Sequence, residues 1–156
     1  MIRPTDPADT PTLLALARET GVFKPHEIQA LEEVLDDYHA EDSAAGHLSL
    51  TYEKDGAIIG FAYYAPAAMT ERSWYLYWIA VRKGTQAKGV GSKLLRHVEE
   101  DIARRQPGAV LFIETSSMPH YELTRRFYVK HGYDQEAVLR DFYAPGDSMV
   151  VFRKVL

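Results

Sequence analysis

The sequence predicts an α/β (α+β) fold, a mixed sheet with helices packed on both of its faces. Three observations carry that reading. A strand-helix-strand-helix-strand stretch between residues 74 and 142 sits among segments that read as hairpins, a combination that brings parallel and antiparallel pairing into one sheet. Asp55-Gly56 separates two apolar runs, the strongest short hairpin signal because a type I′ turn needs positive φ at both central positions. The chain has 156 residues, 46% of them hydrophobic and none of them cysteine. That length suits one domain, residues 1–156, able to bury roughly two-thirds of its surface without disulfide or metal staples.

The elements follow in order, β-α-α-β-β-β-α-β-α-β-β. Residues 2–4 start a short strand that Pro4 ends. Asp6 to Thr20 reads as a helix, with Leu13, Leu14, Leu16 and Ala17 on one side and Gly21 as the stop. Pro25 to about Tyr38 is a second helix, because Ile28, Leu31, Val34, Leu35 and Tyr38 recur at spacings of three and four and Pro25 suits a first turn. Leu48–Tyr52 and Ala57–Tyr64 form the hairpin around Asp55-Gly56. Trp74 to Val81 is an almost wholly apolar strand. Alternation along it puts Tyr75 and Tyr77 on one face and Trp74 and Trp78 on the other. Ser92 to Arg105 is a helix with Leu94, Leu95, Val98 and Ile102 on one stripe, broken by Pro107-Gly108. Val110 to Thr115 is a buried strand, Pro119 to His131 a helix stopped by Gly132. Strands from about Tyr133 to Phe142 and Ser148 to Lys154 flank the turn Ala144-Pro145-Gly146-Asp147.

Charge excludes some functions and localises others. The net charge of -4, from 18 Lys+Arg against 22 Asp+Glu, gives no basic face for nucleic acid. No apolar run approaches the roughly 20 residues that span a bilayer, and Met-Ile-Arg-Pro-Thr-Asp lacks the basic-then-apolar pattern of a secretory signal. The expectation is a cytoplasmic protein with no nucleic-acid or membrane partner. The six histidines show no metal spacing and read as surface residues, so no metal is expected. Locally, Glu27, Glu32, Glu33, Asp36, Asp37, Glu41 and Asp42 oppose only Lys24, a pattern of a solvated helix face or of a site for a cationic substrate. Arg82, Lys83, Lys88, Lys93, Arg96, Arg104 and Arg105 outnumber Glu99, Glu100 and Asp101, and suit an anionic ligand.

The chemistry lies where that basic run begins. Trp78-Ile79-Ala80-Val81 ends a strand, a loop with Gly84, Gly89 and Gly91 follows, and an amphipathic helix starts at Ser92. Glycine lets backbone approach a ligand. The helix start offers unpaired N–H groups and about half a positive charge, a cradle for a diphosphate. A P-loop fails because Val90 stands where Lys is required, and the dinucleotide fingerprint fails at Leu94.

Gln-x-x-Gly-x-Gly is met in full by Gln86, Gly89 and Gly91. Here the sequence resembles the GNAT superfamily of acetyl-CoA-dependent N-acetyltransferases, whose members bind the pyrophosphate of coenzyme A at this loop. Ile79-Ala80-Val81 is similar to the strand end before it. Thr124-Arg125-Arg126-Phe127-Tyr128-Val129-Lys130-His131-Gly132-Tyr133 is similar to the second family signature, although Tyr121 stands for the common asparagine and Thr124 for alanine. The element order agrees over nearly the whole chain.

The resemblance implies a mostly antiparallel twisted sheet of about seven strands and direct transfer of the acetyl group of acetyl-CoA to a primary amine, in a small molecule or a peptide. It assigns acetyl-CoA to Ile79, Ala80, Val81, Gln86, Ala87, Lys88, Gly89, Val90, Gly91 and Ser92. It makes Tyr128 the general acid, though its place on an apolar helix face equally reads as core. A backbone N–H near Ile79 would polarise the thioester. Many relatives place a glutamate on the strand before the loop, but residues 73–81 hold no carboxylate. Glu114, on the next strand, is the substitute base, or else a solvated strand-end carboxylate. Glu27 is a weaker candidate. Tyr63, Tyr64, Trp74, Tyr75, Tyr77 and Trp78 line an amine pocket or simply pack, and residues 141–147 could close one side of it. The resemblance admits a homodimer through an exposed strand. An acyl-CoA binding or sensing module without efficient turnover, and a nucleotide-binding protein of another kind, are the competing readings.

Overall fold

The computed structural model describes residues 1–41, 46–85 and 89–156, with the side chain of Glu41 set aside. Its elements are β1 (Ile2–Pro4), α1 (Thr10–Glu19), α2 (Pro25–Glu41), β2 (Leu48–Lys54), β3 (Ala57–Pro66), β4 (Ser73–Val81), α3 (Val90–Arg105), β5 (Val110–Ser116), α4 (Glu122–Lys130), β6 (Asp134–Ala144) and β7 (Asp147–Val155). Asp55 and Gly56 both take positive φ, 52° and 78°, the type I′ geometry that matches the twist of β2 and β3. Next to that turn Lys54 faces Ala57 and Glu53 faces Ile58; a bulge at Ile59 then shifts the register by one, so that Ser49 faces Tyr63 and Leu48 faces Tyr64.

The strands form one sheet in the order β1-β2-β3-β4-β5-β7-β6. Every neighbouring pair is antiparallel except β4 and β5, which run parallel on either side of the α3 crossover. Each face carries its own core. Leu94, Leu95, Val98 and Ile102 of α3 and Tyr128 of α4 close over Leu50, Ile59, Tyr64, Trp74, Leu76 and Phe152. Leu13, Leu16 and Ala17 of α1 and Ile28, Leu31 and Leu35 of α2 close over Phe61, Tyr63 and Ala80. The apolar spacings in the sequence therefore mark the faces that are buried.

The sequence and the structure differ where local chemistry intervenes. The helix expected from Asp6 begins instead with a short 3-10 turn, Pro7–Asp9. Pro11 has no N–H to give to residue 7, so α-helical bonding starts later. Arg3 forks onto Asp9 at 2.7 and 3.0 Å, and the Asp6 N–H donates to Asp9 at 2.8 Å. Likewise the helix expected from Pro119 opens with a 3-10 turn, Pro119–Tyr121. At the edge, β6 is exposed along its whole length except half-buried Ala144.

Asp101 ties α3 to the sheet. The buried Tyr64 hydroxyl donates to it at 2.6 Å, and Arg104 and Arg105 donate at 2.5 and 2.9 Å. Trp74 Nε1 on β4 donates to Gln106 just past the helix at 2.9 Å. These bonds set how the N-terminus of α3 meets the end of β4.

Candidate functional site

The ladder between β4 and β5 is short. Ser73, Trp74 and Tyr75 pair with Val110, Leu111 and Phe112, and pairing stops there. Beyond Tyr75, β4 follows β3 and β5 follows β7, so a wedge-shaped gap opens between them. A bulge sharpens it: Tyr63 pairs with Trp78 and Tyr64 with Leu76, which leaves Tyr77 extra on β4. An extra residue resets alternation. Trp74 joins the core under α3, while Trp78 packs against the core under α1 and α2, 5.2 Å from Phe23. The expected placement of Trp74 and Trp78 on one face is therefore corrected by the bulge. Tyr75 and Tyr77 do share a face, their rings 5.4 Å apart.

The gap exposes backbone. The Arg82 N–H donates to Ile59 O at 2.8 Å. Antiparallel bonding alternates sides, so the N–H of Ile79, three residues back, points away from β3 and towards the gap. Ile79 and Val81 pack on the α3 side and Ala80 on the α1 side, which leaves the main chain of residues 79–81 as the wall of the wedge.

The wedge leads to the start of α3. Gly89 caps that helix at φ 72°, with open space where a Cβ would lie. Val90 is buried beneath the first turn, and a Cβ on Gly91 would meet Phe127 at 3.5 Å and Val81 at 3.6 Å. The first-turn amides of α3, next to that open position, suit the diphosphate of a coenzyme A. Ser92, in that turn, is hydrogen-bonded to His131 at 2.9 Å, and burial pushes the His131 imidazole below its ordinary value. Gln86, Ala87 and Lys88, the rest of the predicted cradle, lie outside the described residues. The basic run is not all available to a ligand: Arg104 and Arg105 are engaged with Asp101 at the far end of α3.

Two candidate catalytic groups lie on opposite faces of the sheet. Ile113 points into the core under α3, so Glu114 points to the other face, beside Tyr75 and Tyr77. It stays open to solvent, yet the surrounding rings push its carboxyl above its ordinary value by desolvation. Tyr128 is 3% exposed, with Phe152 at 5.5 Å and Tyr133 at 5.8 Å. Burial, and then Tyr121, raise its hydroxyl well above the ordinary tyrosine range. Among the described residues that hydroxyl makes no hydrogen bond.

Other groups gather around Glu114. Residues 140–143 loop out of the β6–β7 ladder between Leu139↔Met149 and Ala144↔Asp147, with Asp141 at φ 57°. The loop brings Tyr143 within the field of Glu114. Its hydroxyl is pushed up to about 12 by burial, then by Glu114, Asp147 and Glu27. Glu27 also acts on Tyr121, whose hydroxyl donates to Val22 O between α1 and α2 at 3.1 Å. Asp147 accepts from Ser116 Oγ at 2.5 Å and lies 3.7 Å from Lys24.

Of the six histidines only His26 and His120 are exposed; His39, His47, His97 and His131 are half-buried, which corrects the reading of all six as surface residues. His47 Nδ1 lies 2.5 Å from the Tyr63 hydroxyl, and its ring runs near-parallel to Tyr77, 18° apart. The turn at Asp55-Gly56 alone would set Ser49 opposite Ala62; the bulge at Ile59 moves it to Tyr63 and puts His47 within diagonal reach of that ring, so the contact carried no sequence signal. Among the described residues, no three His, Asp or Glu side chains come together as a metal set, and no helix is long and apolar enough to cross a membrane.

The family model described as acetyltransferase (GNAT) family matches residues 12–133. No curated protein matches the sequence. A crystal structure of a protein assigned to the GNAT acetyltransferases from Desulfovibrio desulfuricans is 34% identical, with a TM-score of 0.94 over 99% of this chain and 98% of that one. A ribosomal-protein-alanine N-acetyltransferase from Brucella melitensis is 20% identical, with a TM-score of 0.78 over 100% and 99% of the two chains. An aminoglycoside 6'-N-acetyltransferase complexed with coenzyme A is 17% identical, with a TM-score of 0.76 over 99% and 96%. The last two share the fold.

Proposed function

Because the chain belongs to the GNAT family of acetyltransferases, we propose that residues 1–156 act as one domain that moves the acetyl group of acetyl-CoA to a primary amine by direct attack in a ternary complex. The observation that carries this reading is the gap that opens between β4 and β5 where their ladder ends at Tyr75 and Phe112, with Glu114 two residues further along β5. The compared enzymes of known acceptor act on an alanine and on aminoglycosides, both amines, and one was solved with coenzyme A.

Acetyl-CoA, when bound, supplies an activated thioester. Ile79, Ala80 and Val81 would hold its arm along the wedge, and Gly89, Val90, Gly91 and Ser92, with Gln86, Ala87 and Lys88, its diphosphate. The Ile79 N–H donates to the acyl oxygen. Glu114 solves the acceptor's problem. An alkyl ammonium with a pKa of about 10.4 costs roughly 4 kcal/mol to deprotonate at pH 7.4, so a carboxylate raised towards neutrality takes that proton, directly or through a water. Tyr128 Oη, protonated across the working range, gives a proton to the departing sulfur.

The lack of a carboxylate on residues 73–81 favours the competing reading, a binding or sensing module, and Glu114 on β5 answers it with a carboxylate on the neighbouring strand. Calorimetric titration with acetyl-CoA, with ATP and NAD as controls, tests the first step. Micromolar binding of acetyl-CoA alone is expected. Thiol release on adding a panel of primary amines tests the second. Binding with no transfer to any amine would establish the module instead.

A further inference from the structure

The α1/α2 face of the sheet carries an aromatic strip that these helices leave open. Tyr77 is 49% exposed, and Tyr75, Phe112 and His47 are half-buried. Their rings follow one another without a break. His47 lies 6.4 Å from Tyr77, Tyr77 lies 5.4 Å from Tyr75, and Tyr75 lies 6.1 Å from Phe112. Two strands, β4 and β5, and the residue ahead of β2 contribute to it, so it is a wall of the sheet and not a single side chain out of place.

The two ends of the strip differ. At the β5 end stands Glu114, whose charge acts on both Tyr75 and Tyr77. At the other end His47 Nδ1 is taken by the Tyr63 hydroxyl at 2.5 Å. That bond holds the imidazole in place, and among the described residues Nε2 makes no hydrogen bond. A carboxylate, a run of ring faces and a fixed polar nitrogen thus follow in line from the mouth of the β4–β5 gap.

We infer that this strip is the acceptor wall, and that the acceptor is a primary amine on a short alkyl arm of a flat aromatic ring, with a hydrogen-bonding group on the ring's far edge. This rests on the transferase reading and names its substrate class. The amine meets Glu114 at the gap. The ring lies against Tyr75 and Tyr77, where the near-parallel planes of His47 and Tyr77 offer one common orientation to a third ring. The distal polar group meets His47 Nε2. A polycation fits less well. Among the described residues, Glu114 is the carboxylate whose charge acts on Tyr75 and Tyr77, and Asp37 acts only on Tyr63 at the far end. Asp147 is already engaged by Ser116 and Lys24.

The test compares tyramine, 2-phenylethylamine, n-hexylamine, spermidine and an alanine-initiated peptide. Thiol release with acetyl-CoA gives kcat/KM, and calorimetry on the CoA-saturated protein gives affinity without turnover. Tyramine should exceed n-hexylamine, spermidine and the peptide by about tenfold or more in both. Tyr77→Leu, at an exposed position, should raise KM and Kd for tyramine by a similar factor while acetyl-CoA affinity holds. His47→Phe should erase the preference for tyramine over 2-phenylethylamine. Transfer with spermidine, the peptide or n-hexylamine preferred, or indifference to Tyr77→Leu, overturns the acceptor assignment alone. Tyramine binding without transfer to any amine overturns the transferase reading and leaves the aromatic wall standing. Neither binding nor transfer overturns both.

Discussion

Glu114 and Tyr128 are asked for opposite protonation states, and their surroundings move both in the useful direction. Desolvation raises the Glu114 carboxyl, which makes it a stronger base near neutral pH. Burial raises Tyr128 too, so it keeps its proton. The expected kcat therefore falls as pH drops through a Glu114 pKa above the ordinary 4.5, and Tyr128 adds no basic limb below its ordinary value of 10. Glu114→Gln should lower kcat by about 10²–10⁴ and flatten the acid limb, as a pH–rate profile would show. Tyr128→Phe should lower kcat with little change in Tm, because the deleted hydroxyl has no partner to lose among the described residues. An unchanged acid limb in Glu114→Gln would move the base elsewhere. The motif singles out Tyr128, and the lack of a carboxylate on residues 73–81 turns attention to Glu114 on the next strand. Tyr143 was legible only as part of a turn, because the bulge that aims it depends on the partner strand.

At the level of elements, α3 does two jobs: its N-terminus faces the ligand and its C-terminal half anchors it to the sheet. The anchor is Asp101. Burial opposes its ionisation, but the Tyr64 hydroxyl and the two arginines, Arg105 and Arg104, hold it below its ordinary 3.8. A carboxylate with a lowered folded pKa stabilises the fold above its unfolded pKa, and that contribution is lost as pH falls through the folded value. Asp101→Asn should cost about 1–3 kcal/mol at pH 7, since two charged partners lose their acceptor. The gap between wild type and variant should close as pH falls below 3.8. Urea melts at several pH values would show it, and a pH-independent gap would assign the loss to packing alone. The helix itself was plain from its apolar stripe, and so was the β2–β3 hairpin. The clamp was not, because nothing local pairs Tyr64 with a residue 37 positions on. Strand bulges escaped for the same reason: a period of two survives only until a partner inserts or skips a residue.

The whole molecule is two half-sheets, β1 to β4 and β5 to β7, joined by a three-pair ladder and by the core under α3 and α4. The strand count and the order of elements could be taken from the sequence. The shortness of that one parallel ladder is set by no local pattern; it depends on how α3 and the Tyr77 bulge set the halves against each other. A ligand arm lying in the wedge would pair along the edges of both strands that face it, as an added strand does. Acetyl-CoA at 100 times its dissociation constant should then add about 2.7 kcal/mol and raise Tm by several degrees. It should also slow hydrogen exchange at the Ile79 amide and its neighbours on β4, while amides of β2, paired on both sides, keep their free-protein rates beyond the global gain. Stabilisation without protection at Ile79 would mean that the coenzyme rests on the α3 cradle alone. The acyl oxygen would then need another donor, and the gap would be a structural seam instead of the place where transfer occurs.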